Sequence, residues 1–78
     1  MLKPNIAEIN KRRKELSLSC YALSKKAGLP LNAIARIESG KYANTYPIRA
    51  KAIAEALNCK LSDIFMEVNY DDSNIRKN

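Results

Sequence analysis

Residues 18–41 read LSCYALSKKAGLPLNAIARIESGK, and this stretch decides the fold. Ser19 is a good helix N-cap, and Leu18 before it is placed to pack on Leu23 as a hydrophobic staple, so a helix starts at a well-marked point. Cys20, Leu23 and Ala27 share one face of that helix, while Tyr21, Lys25 and Lys26 lie elsewhere. Gly28 supplies the left-handed geometry that lets the helix stop abruptly. A second helix follows from about Pro30 to Ser39 and ends at Gly40. At 100° per residue, Ile34, Ile37 and Glu38 fall on one side of it, and Asn32, Ala35, Arg36 and Ser39 on the other. Helices this short do not persist alone in water, so both must pack on neighbours.

Working outward, a preceding helix begins near Pro4 and Asn5, with residues 1–3 expected to fray. Ile6, Ile9, Arg13 and Leu16 make its inward face, which therefore carries one arginine. Lys11, Arg12 and Lys14 form the densest basic run in the chain, a solvated surface on the plainer reading. An inward Arg13 on one helix and an inward Glu38 on another predict an ion pair, because either charge buried alone would be costly.

Beyond Gly40, residues 41–47, KYANTYP, form a polar loop. Pro47 begins a fourth helix through about Asn58, with Ala50, Ile53, Ala54 and Leu57 as its apolar stripe. Its many alanines read as scaffold. Ser62 is expected to cap a short fifth helix in which Ile64 and Phe65 close the core. From Val68 onward no period survives, and 68–78 is expected to be a polar tail, with Val68 and Tyr70 placed to pair as an edge strand in a dimer. The predicted architecture is all-α: one domain, 1–67, of five short helices.

Composition bounds what such a domain does. With 78 residues the core is small and a large catalytic cleft is not expected. There is no histidine, no glycine-rich phosphate loop and no paired carboxylate in a plausible pocket, so an enzyme is disfavoured. Fourteen Lys and Arg against eight Asp and Glu give a formal charge of +6, which favours a polyanionic partner. Residues 1–60 carry net +8 and residues 61–78 net −2, so the positive charge belongs to the helical part. No stretch suits a signal peptide or a membrane span, and a soluble cytoplasmic protein is expected. Cys20 and Cys59 match no metal-ligand spacing and read as reduced thiols; no metal, cofactor or small-molecule substrate is indicated.

These residues carry a resemblance. Leu18–Lys41 is similar to the helix-turn-helix of the lambdoid phage repressor and Cro family, the XRE family. LS opens the motif (19–40), the small Ser24 sits where alanine is usual, Gly28 holds the turn, Ile34 and Ile37 are core positions, and RIESGK ends it. RRKEL before the motif, with Arg13 at the family's buried arginine position opposite Glu38, and AEALNCKLSDIF after it extend the likeness over roughly 6–67. Four positions depart: Cys20 stands where glutamine is usual, Pro30 replaces a capping Ser or Thr, and Leu31 and Ala33 replace residues that are often polar.

The resemblance implies a transcriptional regulator, of repressor type, that binds double-stranded DNA as a homodimer with helix 30–39 in the major groove. Base contacts would then come from Leu31, Asn32, Ala35 and Arg36: Asn32 suits adenine, Arg36 offers a fork to guanine, and Leu31, Ala33 or Ala35 could touch thymine methyls. The plainer role for Asn32 is a local hydrogen bond at the helix start, and for Arg36 a phosphate contact or solvation. Phosphates would be held by the backbone amides of Cys20 and Tyr21 and by Lys41, Tyr42 and Asn44. A thiol at a helix amino end would have its thiolate favoured, which raises the alternative of a redox-sensitive Cys20. The same fold can serve as an antitoxin or protein-interaction adaptor. RNA is disfavoured by the lack of an aromatic stacking platform.

Overall fold

The computed structural model describes residues 1–41 and 44–67; the expected tail, 68–78, and Tyr42 lie outside the described residues. The first helix starts where a side chain replaces a missing acceptor. Asn5 is extended (φ −88°, ψ 91°), its side-chain oxygen accepts from the Glu8 N–H at 3.1 Å, and α1 runs Ile6–Glu15. The next start repeats the device: Ser19 Oγ accepts from the Ala22 N–H at 3.0 Å, and α2 runs Cys20–Lys26. Helix α3, Ala33–Glu38, is shorter at its front than expected, because residues 30–32 form a turn in which the Pro30 carbonyl accepts from the Ala33 N–H at 2.9 Å.

Pro47 opens α4, Pro47–Ala56, and α5 is the single turn Leu61–Ile64. Ser62 lies inside α5 and does not cap it. That start is closed by Asp63, whose carboxylate reaches back to accept from the Lys60 N–H at 3.0 Å.

Each of α1 to α4 is followed by one residue in the left-handed region: Ser17 (φ 58°), Gly28 (φ 73°), Gly40 (φ 79°) and Asn58 (φ 60°). A Cβ at Gly28 would meet nothing within 4 Å, so the glycine answers a conformational demand and not a steric one.

Five side chains with no solvent exposure, Ile9, Leu23, Ile34, Ile53 and Ile64, come one from each helix and form the centre of the core. Burial of each contributes roughly 2 kcal/mol. The α4 stripe of Ala50, Ile53, Ala54 and Leu57 is buried as its spacing predicts. Leu16 is not: α1 ends one residue earlier, and Leu16, at its C-cap, is exposed.

The bundle is closed by an element the helical periodicity does not announce. Residues 2–4 do not fray but form strand β1, Leu2–Pro4, which pairs antiparallel with β2, Phe65–Glu67, Leu2 opposite Glu67 and Pro4 opposite Phe65. On its other side Leu2 exchanges two backbone hydrogen bonds with Thr45, at 2.9 and 2.6 Å. The reason is burial: the Leu2 side chain joins the core, and its backbone polar groups must be paired there.

Candidate nucleic-acid interface

The joint between α1 and α3 is ionic. Arg13 is buried on α1, and its Nε donates to Glu38 Oε2 at 2.8 Å while Nη2 donates to Oε1 at 3.1 Å. Its remaining nitrogen, Nη1, donates to the Leu18 carbonyl at 2.7 Å, immediately before α2. Asn10 Nδ2 adds a donor to Glu38 Oε1 at 2.9 Å. One guanidinium thus ties three helices together, with the carboxylate's acceptors answered as burial demands. Burial pushes the Glu38 carboxyl up, but the Arg13 and Asn10 hydrogen bonds and the Arg13 charge outweigh it and hold the group below its ordinary value.

The joint between α2 and α3 is a hydroxyl. Ser24 is fully buried; its Oγ donates to the Cys20 carbonyl at 2.8 Å and accepts from the Ile34 N–H at 3.1 Å. The Leu29 N–H in turn donates to the Ser24 carbonyl at 2.9 Å. A side chain valued in the sequence for small size is therefore also a cross-helix hydrogen-bonding group.

With Ile34 and Ile37 directed inward, Asn32, Ala35 and Arg36 are exposed on the opposite side of α3, and Leu31, 48% exposed, stands at its entrance. Ala33 differs from expectation: at 5% exposure it belongs to the core, so a thymine methyl cannot reach it. Asn32 occupies the N-cap position without a side-chain cap hydrogen bond, so the local role considered for it is not filled.

Past the end of α3, Lys41 is exposed, its N–H donating to Ser39 Oγ at 3.3 Å, and Asn44 is half-buried. At the front of α2, Tyr21 is exposed and Cys20 half-buried against the core. Burial, then the neighbouring Glu38 charge, push the Cys20 thiol above its ordinary value against the pull of Arg13. Burial of the sulfur is thus the main influence against the thiolate that a helix terminus would favour, with the Glu38 carboxylate adding to it.

Between α3 and the start of α4 lies a cleft of about 370 Å³, lined among others by Pro30, Asn32, Arg36, Asn44, Tyr46 and Arg49. Arg49 was legible only as part of an alanine-rich scaffold. Its signal is that it falls off the Ala50, Ile53, Ala54 and Leu57 stripe and follows the Tyr46–Pro47 helix start. The cleft thus has two arginines, Arg36 and Arg49, among its lining residues. Among the described residues, no helix is long and apolar enough to cross a membrane.

A helix-turn-helix family model, HTH_3, matches residues 9–64. Among solved structures, the chain is similar to the P22 c2 repressor protein in complex with synthetic operator 9T in the presence of Tl+, with 28% identity, a TM-score of 0.66, and coverage of 73% of this chain and 85% of that one. No curated protein matches. The family match runs from within α1 to the end of α5 and so includes the Arg13–Glu38 joint, the Gly28 turn and the exposed face of α3. The chain belongs to the XRE and Cro type of helix-turn-helix family and is a DNA-binding transcription regulator.

Proposed function

We propose that the chain is a sequence-specific repressor that inserts α3 into the major groove of double-stranded DNA and binds a two-fold operator as a homodimer. The observation that carries this is the split of α3 into a face of Ala33, Ile34 and Ile37 sealed in the core and a face of Asn32, Ala35 and Arg36 turned to solvent. A side-chain amide and a guanidinium are the groups that discriminate adenine and guanine by paired hydrogen bonds, and Leu31 and Ala35 suit thymine methyls. The operator-bound P22 c2 repressor, to which the chain is similar, supports the same use of the fold.

Phosphates are assigned to the amides of Cys20 and Tyr21 at the front of α2, and to Lys41, Asn44 and Tyr42, the last outside the described residues. Arg49, across the cleft from α3, joins this set. One module reads few base pairs, so a dimer across two half-sites about one helical turn apart supplies the specificity.

Selection of bound sequences from a random duplex pool tests the proposal. A recovered motif with two-fold symmetry, and affinity that falls steeply with salt, is the expected result. Exposed Leu31, Tyr46 and Ile48 favour a second reading, in which the domain grips a partner protein as an antitoxin or adaptor. Salt-insensitive or absent duplex binding would select that reading instead.

A further inference from the structure

We propose that Ser24 is a positioning residue for base recognition: its buried hydroxyl is the amino-terminal cap that α3 does not carry itself. The inference rests on α3 reading DNA and asks what sets that helix's place.

The first amides of a helix lack intrahelical acceptors, and a side-chain oxygen at the N-cap normally receives the one at N2 or N3. In α3 the N-cap is Asn32, whose φ of −103° and ψ of 9° lie outside the extended range of a capping residue, and its side chain makes no such bond. Pro30, earlier in the turn, has no side-chain acceptor. The Ala33 N–H is answered by the Pro30 carbonyl and the Arg36 N–H by the Asn32 carbonyl. Of the two amides between them, the one at N2 belongs to Ile34, a residue with no solvent exposure, and its acceptor is Ser24 Oγ at 3.1 Å.

The hydroxyl is also oriented. Its proton is committed to the Cys20 carbonyl one turn back at 2.8 Å, which leaves a lone pair for Ile34. Helix α3 is therefore registered on α2 by one directional bond at the turn that presents Asn32, Ala35 and Arg36. Without it, a buried donor has no acceptor, and the start of α3 relieves this by admitting water or shifting. Paired hydrogen bonds to base edges tolerate little displacement, whereas phosphate contacts from flexible Lys41 tolerate more.

The test has two arms on the intact protein. In Ser24→Ala, amide hydrogen exchange at Ile34 should rise about tenfold or more beyond any change at Ile53, which reports global opening. The ratio of affinities for the selected motif and a scrambled duplex should fall about fivefold or more, with scrambled binding unchanged. Ser24→Thr and Ser24→Val, equal in shape, separate crowding from hydrogen bonding: the threonine protein should keep the higher ratio.

Parallel acceleration at Ile34 and Ile53 would overturn the capping role. Selective loosening of Ile34 with an unchanged affinity ratio would overturn the positioning role. If the unsubstituted protein selects no motif, the DNA reading fails and this proposal with it, a result distinct because it is seen before any substitution.

Discussion

Arg13 and Glu38, 25 positions apart, meet through two hydrogen bonds of 2.8 and 3.1 Å with both side chains about nine-tenths withdrawn from solvent. Removing one partner strands the other. Arg13→Met or Glu38→Gln alone should each lower stability by about 3 kcal/mol, and the double variant should lose less than the sum by about 1 kcal/mol or more. Urea unfolding of the four proteins measures this, and additive losses would contradict the pairing.

The same carboxylate predicts acid sensitivity. Glu38 titrates below its ordinary value of 4.5 in the fold, so the unfolded chain binds its proton first as pH falls. Its stabilising contribution is complete above the ordinary value and is lost as pH drops through the lower folded one. Stability of the unsubstituted protein should decline over that window more steeply than that of Glu38→Gln. Melting temperatures taken from neutral pH downward should therefore converge; parallel curves would remove the assignment.

Arg36 and Lys41 should separate specificity from affinity. Arg36→Ala should weaken the selected motif by about 1 to 3 kcal/mol and scrambled duplex much less, while Lys41→Ala should weaken both alike and reduce the salt slope by about one. Equal losses for Arg36→Ala on both duplexes would place that guanidinium on a phosphate.

Leu2 should matter as much as a helical core residue. Leu2→Ala should destabilise by about 2 to 4 kcal/mol, while Lys3→Ala, on the exposed side of β1, should change stability by less than about 0.5 kcal/mol. Thermal unfolding decides, and a Leu2→Ala protein as stable as the parent would mean that β1 contributes nothing.

Helices were legible because apolar spacing of three and four is a local signal, and the two clear caps, Asn5 and Ser19, are residues whose side chains reach their own helix. The Arg13 and Glu38 pairing followed from charge on otherwise apolar faces. Strand β1 left no such trace, since three residues are too few to show alternation and their partners lie about 60 positions away. Ser24 hid its hydroxyl for a similar reason: its acceptor role is toward an amide ten residues on, in another helix. Ala33 could have been placed, as it falls only about 40° around the helix from Ile37. Its likeness to positions that often face DNA obscured a geometry the periodicity already contained.

The pairing of Leu2 with Glu67 has a mechanical consequence. The bundle takes in its chain and lets it out through one doorway, on adjacent antiparallel strands. Tension across that doorway would peel the ladder open a pair at a time, a low-force route, instead of shearing it all at once. The same closeness makes the bundle a portable cassette: spliced into a surface loop of a host protein, it would need almost no linker to bridge its two ends.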